Sequence, residues 1–157
     1  MTRAPAASGT SLHATAVIHG ESGVLILGPS GSGKSALALA LIARAESRGA
    51  FAALIGDDRV FVREAGGRLI ARGAANMAGI IERRAAGLIR VRHEQASVVR
   101  LAVELSGRGR RWPRMPDDDG GLAIGEVALP RLALGSGQSA CDQALAVEER
   151  LAVLAAG

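Results

Sequence analysis

With 157 residues, of which 48% are hydrophobic and 22% charged, the sequence has the size and composition of one globular domain rather than of a disordered chain. It has no apolar run near the roughly 18 residues that a membrane span needs, and its single cysteine, Cys141, excludes an internal disulfide and a cysteine-rich zinc site. The net charge of +4 could indicate nucleic-acid binding, but the arginines are dispersed and the chain has no tyrosine, two phenylalanines and one tryptophan, too few rings for a stacking platform.

The beginning of the chain predicts a tail followed by two strands. Residues 1–11 are small and polar and lack the apolar run of a signal peptide, so we expect a disordered tail on a cytoplasmic protein. A single domain should then occupy residues 12–157. Residues 12–18 have β character, and the turn residues after them suggest a hairpin-like connection to a buried strand at residues 24–27.

The next segment is a glycine-rich phosphate-binding pattern, the P-loop. Its residues are Gly28, Pro29, Ser30, Gly31, Ser32, Gly33, Lys34 and Ser35. A helix-forming run over residues 36–45 follows, and strand, loop and helix together surround a concavity with backbone N–H groups that accept phosphates. Lys34, the only lysine in the chain, would reach the β- and γ-phosphates of ATP, with its side chain facing ligand or solvent, and the Ser35 hydroxyl would coordinate Mg²⁺. The alternative is a glycine-rich turn that binds nothing.

An acidic pair follows the next predicted strand. Residues 51–56 are apolar and end in Asp57 and Asp58, roughly twenty residues beyond the P-loop. A strand-terminal aspartate near bound phosphates commonly holds Mg²⁺ or orients the nucleophile. The alternative for the pair is an Asx-turn that closes the strand. By chemistry alone, His13 is a packed histidine on a strand and Glu82 belongs to a solvated charge run.

The rest of the chain predicts a hairpin, further strands, one long loop and a final helix. The expected strands and hairpin arms are residues 60–62, 69–71, 87–92, 99–105 and one or two strands within 122–134, with 73–86 irregular or a short helix. Residues 106–121 read as a loop that carries an arginine cluster. Ser139 and Asp142 form a capping pattern for a helix that reaches about Ala155. This many antiparallel strands argues against a plain doubly wound sheet.

Together these motifs resemble the HPr kinase/phosphorylase family. The resemblance rests on residues 23–27 followed by the P-loop, a short helix and a strand that ends in Asp57-Asp58-Arg59-Val60, and it covers about residues 12–134. It implies an α/β fold with a P-loop in a mixed, largely antiparallel sheet, similar to phosphoenolpyruvate carboxykinase. It also implies a bifunctional serine kinase that uses ATP and Mg²⁺, acts on the HPr phosphocarrier protein of the sugar phosphotransferase system, regulates carbohydrate metabolism and forms a hexamer.

The resemblance gives roles to individual residues. It implies a catalytic histidine at His13, ten residues ahead of the glycine that opens residues 23–27, and a general base at Asp57, next to Asp58 of the nucleotide site. It implies a magnesium ligand at Glu82, within a family signature that residues 82–89 match with Ala85 in place of its first glycine. It implies a further catalytic arginine at Arg114.

The resemblance is incomplete at one place that bears on activity. The family uses an arginine-containing segment near its carboxy terminus for dephosphorylation by inorganic phosphate, whereas residues 135–139 contain no arginine. The sequence therefore predicts a Mg-ATP-dependent serine kinase for an HPr-type carrier, with little or no phosphorylase activity. Two alternatives stay open, a P-loop kinase of a small metabolite and a non-catalytic ATP-binding sensor.

Overall fold

The computed structural model describes residues 9–106, 121–135 and 137–157, which form an α/β fold. The elements are β1 (Thr10–Leu12), β2 (Ala14–His19), β3 (Ser22–Leu27), α1 (Lys34–Ser47), β4 (Ala52–Gly56), β5 (Val60–Ala65), β6 (Arg68–Gly73), a 3₁₀ turn (Ala75–Met77), β7 (Ile80–Arg83), β8 (Gly87–Arg90), β9 (Ala96–Leu105), β10 (Leu122–Ile124), β11 (Val127–Leu129), β12 (Arg131–Leu134) and α2 (Ala140–Ala156). Neither helix of the described chain combines the length and the apolar character needed to cross a bilayer.

The main sheet has eight strands and is mixed, with mostly antiparallel pairs. Its order is β1-β5-β6-β9-β3-β2-β4, and β12 also pairs with β9. Strands β3 and β12 run parallel to β9, and the other neighbours are antiparallel. The hairpins β7–β8 and β10–β11 form two small separate sheets. This arrangement confirms the mixed, largely antiparallel sheet predicted from the sequence.

The sheet curls, so that two strands that are not neighbours in it come together. Gly73 at the end of β6 lies against the end of β4, where a Cβ atom on Gly73 would be only 2.1 Å from the carbonyl oxygen of Ile55. Only glycine allows such a close approach of two backbones. The end of β4, and the acidic pair after it, lie beside β2, because Gly56 at the end of β4 pairs with Ala16.

The core lies on both faces of the sheet. On β3, Val24 and Ile26 belong to the cluster that packs under α1 and α2, whereas Leu25 belongs to the cluster on the opposite face. This alternation follows from the two-residue period of a strand. Both faces are buried, so β3 is a continuous apolar run, as the sequence predicted for residues 24–27.

Helix α2 is attached to α1 through a carboxylate. Glu148 accepts a hydrogen bond from Arg44 Nε at 2.5 Å and pairs with Arg48 of the same helix, while His19 Nε2 lies 3.5 Å from its Oε2 atom. At the start of α2, the Ser139 hydroxyl accepts a hydrogen bond from the Asp142 N–H at 3.1 Å. The predicted cap is confirmed.

The structure differs from the sequence prediction in three segments. Thr10–Leu12 is a strand paired with β5 rather than the end of a tail. Ile80–Arg83 is a strand paired with β8 rather than an irregular segment, and residues 122–134 hold three short strands. Each of these strands has three or four residues, so its hydrophobic pattern is too short to stand out. Residues 1–8 and 107–120 lie outside the described residues.

Candidate active site

A cavity of about 760 Å³ opens between the loop after β3 and the end of β4. Its lining includes most of the residues singled out from the sequence, namely His13, Ser30, Gly31, Gly33, Lys34, Ser35, Asp57, Asp58 and Glu82. Gly28, Pro29 and Ser32 belong to the same loop but are not part of the lining. Arg114 lies outside the described residues. The cavity therefore brings together side chains from four separate parts of the chain.

The glycine loop, residues 28–33, connects β3 to the first turn of α1. Gly33 is the residue before the helix and has φ 101°, a left-handed conformation that side chains strongly disfavour. The helix then begins at Lys34, so its free N–H groups and the positive end of its dipole face the cavity. These are the features that favour phosphate binding at a helix N-terminus.

Lys34 is held at the base of the glycine loop. The residue is 7% exposed, and its Nζ atom donates hydrogen bonds to the carbonyl oxygens of Gly28 at 2.9 Å and Pro29 at 3.1 Å. Burial lowers the pKa of Lys34, and the nearby carboxylates of Asp58 and Asp57 oppose that shift. Lys34 is thus largely shielded from solvent but still lines the cavity, so its expected role beside the phosphates stays a prediction. An ammonium has three donors, so one remains for a phosphate oxygen.

Asp57 connects three elements through its carboxylate. Its Oδ1 atom accepts hydrogen bonds from Ser35 Oγ at 2.7 Å and Thr15 Oγ1 at 2.9 Å, and its Oδ2 atom accepts one from the Glu82 N–H at 3.2 Å. Asp57 follows directly after β4, whose last residue, Gly56, pairs with Ala16 next to Thr15. The carboxylate is thus fixed beside the first turn of α1.

Thr15 is a site residue that the sequence reasoning missed. Its side chain is fully buried, and its hydroxyl contacts Asp57 from β2. The available signal was a single hydroxyl in the otherwise apolar run of residues 14–18. A buried hydroxyl needs a hydrogen-bond partner, so its presence in that run indicates a polar group nearby.

His13 and Asp58 form the outer edge of the cavity. His13 Nδ1 lies 3.1 Å from Asp58 Oδ1, and its Nε2 lies 3.5 Å from Ser30 Oγ of the glycine loop. His13 occupies the bend between β1 and β2 rather than a strand. The register Ala14↔Leu27 explains its position, because it places His13 beside the residue that follows β3.

The oxygen donors of the cavity fit a magnesium ion. Glu82 on β7 lines the wall near Ser35 and Asp57, and all three side chains offer the hard oxygen ligands that Mg²⁺ prefers. Within the described residues, no three His, Cys, Asp or Glu side chains cluster as a complete cage. Mg²⁺ commonly uses one or two carboxylates and completes its shell with water and substrate phosphates, so this sparse set suits it.

Comparisons with known proteins agree with the architecture. No curated protein matches the sequence. The structure is similar to that described as "Structure of the Hpr(Ser) kinase/phosphatase from Coxiella burnetii", with a TM-score of 0.75 and 21% sequence identity over 94% of this chain and 93% of that chain. At that identity the likeness shows the fold. The family model for the HPr Serine kinase C-terminal domain matches residues 5–111, well over half of the chain, and the chain therefore belongs to that family.

Proposed function

We propose that this chain is a Mg-ATP-dependent protein kinase that phosphorylates a serine of an HPr-type phosphocarrier protein and so regulates carbohydrate metabolism. Membership of the HPr serine kinase family suggests a kinase and a role in HPr regulation. One observation carries the proposal furthest. Lys34 and Ser35, on the first turn of α1, share a cavity with the fixed carboxylate of Asp57.

The glycine loop would bind the phosphates of ATP. Its backbone N–H groups and the start of α1 would surround the β- and γ-phosphates, with Lys34 as the cation beside them. Ser35 and Glu82 would hold Mg²⁺, which supplies charge neutralisation for the phosphates. The Ser35 hydroxyl uses its hydrogen to donate a hydrogen bond to Asp57. The lone pairs of its oxygen are therefore still available to coordinate the ion.

Asp57 would accept the proton of the substrate serine. Its Oδ1 atom accepts hydrogen bonds from two hydroxyl groups. Its Oδ2 atom accepts a single, longer hydrogen bond and keeps a lone pair for the substrate proton. The serine oxygen would bond to the γ-phosphorus as the bond from that phosphorus to the bridging oxygen breaks. ADP leaves, and the serine proton passes to Asp57. Such catalysis depends mainly on positioning and on electrostatic stabilisation of the transferring group.

The exposure of the outer edge favours a protein substrate over a small metabolite. The side chains of His13 and Asp58 are 50% and 79% exposed, so a serine on the surface of another protein could approach them. We propose that this pair meets the incoming segment of the carrier. The catalytic role of Arg114, the similarity to phosphoenolpyruvate carboxykinase, the hexamer and the cytoplasmic location remain predictions.

The decisive experiment is mass spectrometry of an HPr-type protein after incubation with this chain and Mg-ATP. We expect one phosphoryl group on a serine, and none with the Lys34→Met variant. Labelled ATP and a cell extract form a second arm, in which label on a small molecule instead of a protein would support a metabolite kinase. Tight ATP binding without transfer of a phosphoryl group to any acceptor would support a non-catalytic ATP-binding sensor.

A further inference from the structure

One face of the β5–β6 hairpin carries two arginines beside a phenylalanine. Phe61 on β5 pairs with Arg72 on β6, and Arg63 is the next residue of β5 on the same face. Arg72 is exposed, whereas Phe61 and Arg63 are half-buried. The alternate residues of β5, Val60 and Val62, belong to a core cluster. Phe61, Arg63 and Arg72 therefore form a surface, the arginine face, on the side of the sheet that points away from that cluster.

The arginine face has two positive charges and no acidic neighbour. Arg63 pairs with Ile70, so Arg63 and Arg72 are diagonal neighbours with Cβ atoms about 7–8 Å apart. Neither arginine forms an ion pair within the part of the chain that the structure describes. The residues paired around them on β1, β6 and β9 carry no carboxylate; they are Ser11, Ile70, Ala96 and Val98.

The one acidic residue of this hairpin is turned to its other face. Glu64 pairs with the buried Leu69, and its Oε1 atom accepts a hydrogen bond from the Glu126 N–H at 2.6 Å. Its carboxylate is thus occupied in attaching the turn between β10 and β11. Arg63 and Arg72 repel each other at their spacing, and carboxylates of a binding partner would relieve that repulsion.

The arginine face continues into the outer edge of the cavity. Asp58 is three residues before Phe61, so their Cα atoms are at most about 11 Å apart. On the neighbouring strand, Ser11 pairs with Phe61 and is two residues before His13. Both arginines are therefore within about 20 Å of Asp58. A protein of about 100 residues has a radius of gyration of about 13 Å, so one molecule can contact the arginine face and the cavity edge together.

We propose that Arg63 and Arg72 dock an acidic surface of the protein substrate, an assignment that rests on the proposed function. Guanidinium groups donate paired hydrogen bonds to carboxylates, and the ring of Phe61 adds an apolar contact beside them. The docked protein presents its serine at the edge formed by His13 and Asp58. A protein is favoured over a nucleic acid because this face has a single aromatic ring, which is too few for a stacking platform.

Kinetics and direct binding with an HPr-type protein test the docking surface. The double change Arg63→Gln and Arg72→Gln should raise the KM for this protein at least tenfold. Its Kd, measured by fluorescence anisotropy without ATP, should rise by a similar factor. The kcat and the KM for ATP should stay within about twofold of the wild-type values, because neither arginine lines the cavity. If the double variant does not fold, judged by circular dichroism, the two single variants replace it.

The matched control is Arg68→Gln, which removes the same charge from the same hairpin. Arg68 is four residues from Arg72 along β6, about 13 Å away, which exceeds the Debye length of about 8 Å at physiological salt. Its KM for the HPr-type protein should stay within about twofold of the wild-type value. The wild-type KM should also rise more steeply with salt than that of the double variant, because salt screens the docking charges.

Four outcomes would contradict the docking surface. An unchanged KM in the double variant, with the HPr-type protein still phosphorylated, would remove the docking surface and leave the proposed kinase intact. An equal rise in KM in Arg68→Gln would show that net charge, and not the position of the two arginines, matters. Loss of binding to phosphatidylglycerol vesicles or single-stranded DNA, with normal binding of the HPr-type protein, would assign the face to another partner. A wild-type chain that neither binds nor phosphorylates the HPr-type protein would overturn the docking surface together with the proposed function.

Discussion

The hydroxyl of Thr15 donates a hydrogen bond to Oδ1 of Asp57 at 2.9 Å from a fully buried position on β2. This contact ties the carboxylate to the central part of the fold rather than to a surface loop. A base that must meet a substrate hydroxyl within about 3 Å depends on such support. Thr15 is therefore a positioning residue for the proposed proton transfer.

Loss of the Thr15 hydroxyl should slow catalysis without unfolding the protein. A base that is no longer held in position transfers a proton less efficiently, so Thr15→Val should reduce kcat by about tenfold or more, with little change in the KM for ATP. Thr15→Ser keeps the donor and should restore most of the rate. Steady-state kinetics and thermal melts of both variants check this. Equal activities of the Val and Ser variants would show that the hydroxyl has no such role.

The two aspartates should differ in single-turnover kinetics. Asp57→Asn should lower the rate of transfer by roughly the 10²–10⁴-fold typical of general-base loss, while ATP still binds. Asp58→Asn should be milder, because Asp58 contacts His13 at the exposed edge rather than Ser35. The reverse ranking would assign the proton transfer to Asp58 and leave Asp57 with the orientation of Ser35.

Lys34→Met should abolish transfer while preserving the fold. Burial lowers the pKa of Lys34, which means that the folded protein binds its proton less tightly than the unfolded chain does. At neutral pH the charge on Lys34 is therefore less favourable in the folded protein than in the unfolded chain, and this effect is relieved only as the pH rises through the folded-state pKa toward the ordinary pKa. The apo variant should melt at the wild-type temperature or slightly above it.

The control for that experiment is Arg68→Met, which removes a cation from the exposed β5–β6 hairpin. It should change neither activity nor stability appreciably. Differential scanning calorimetry at pH 7 compares the two variants with the wild type. A large drop in the melting temperature of apo Lys34→Met would mean that its hydrogen bonds to Gly28 and Pro29 outweigh the cost of burying the charge.

Local sequence patterns predicted the glycine loop, α1 and the acidic pair because each is defined by neighbouring residues. The curl of the sheet was not predictable, since it depends on the approach of Gly73 to Ile55, which no local pattern encodes. The contact of Thr15 with Asp57 joins residues 42 positions apart and depends on the pairing of β2 with β4, which no local pattern encodes either. The burial of Lys34 was not predicted, because the motif alone does not show that its ammonium donates hydrogen bonds to the carbonyl oxygens of Gly28 and Pro29.

Glu148 should contribute stability that acid removes. Burial raises its pKa, but the hydrogen bond from Arg44 and the charges of Arg44, Arg48 and His19 outweigh that effect and lower the pKa below 4.5. The carboxylate therefore stabilises the fold at neutral pH. This stabilisation is lost as the pH falls from about 4.5, the ordinary pKa of a glutamate, through the lower pKa of Glu148 in the folded protein. Glu148→Gln should cost about 1–3 kcal/mol at pH 7, and less at pH 3.5.

The matched control is Glu149→Gln, the exposed neighbour on α2, which forms no ion pair within the described part of the chain. Urea unfolding of both variants at the two pH values measures the difference. If the cost of Glu148→Gln is the same at pH 3.5 as at pH 7, the stabilisation does not depend on the ionised carboxylate.

The last prediction is that phosphate-dependent dephosphorylation is weak or absent. In that reaction inorganic phosphate attacks the phosphoserine, pyrophosphate leaves and the serine hydroxyl is regenerated. The site must hold two anions together, which repel strongly where water is excluded, so additional positive charge is needed. Gln138 lies beside Gly31 and Gly33 of the glycine loop, yet its segment, residues 135–139, contains no arginine.

The structure also excludes Arg131 as a ready substitute. Its guanidinium group donates two hydrogen bonds to Glu104, at 3.0 and 3.2 Å, and is thereby held on β12. We expect pyrophosphate release from seryl-phosphorylated HPr, with Mg²⁺ and millimolar phosphate, to be far slower than the forward kinase reaction. Gln138→Arg supplies a cation beside the loop and should raise that rate, whereas Gln138→Leu should not. Wild-type turnover comparable to the kinase rate would contradict the prediction, because the phosphate would then be held without an arginine in this segment.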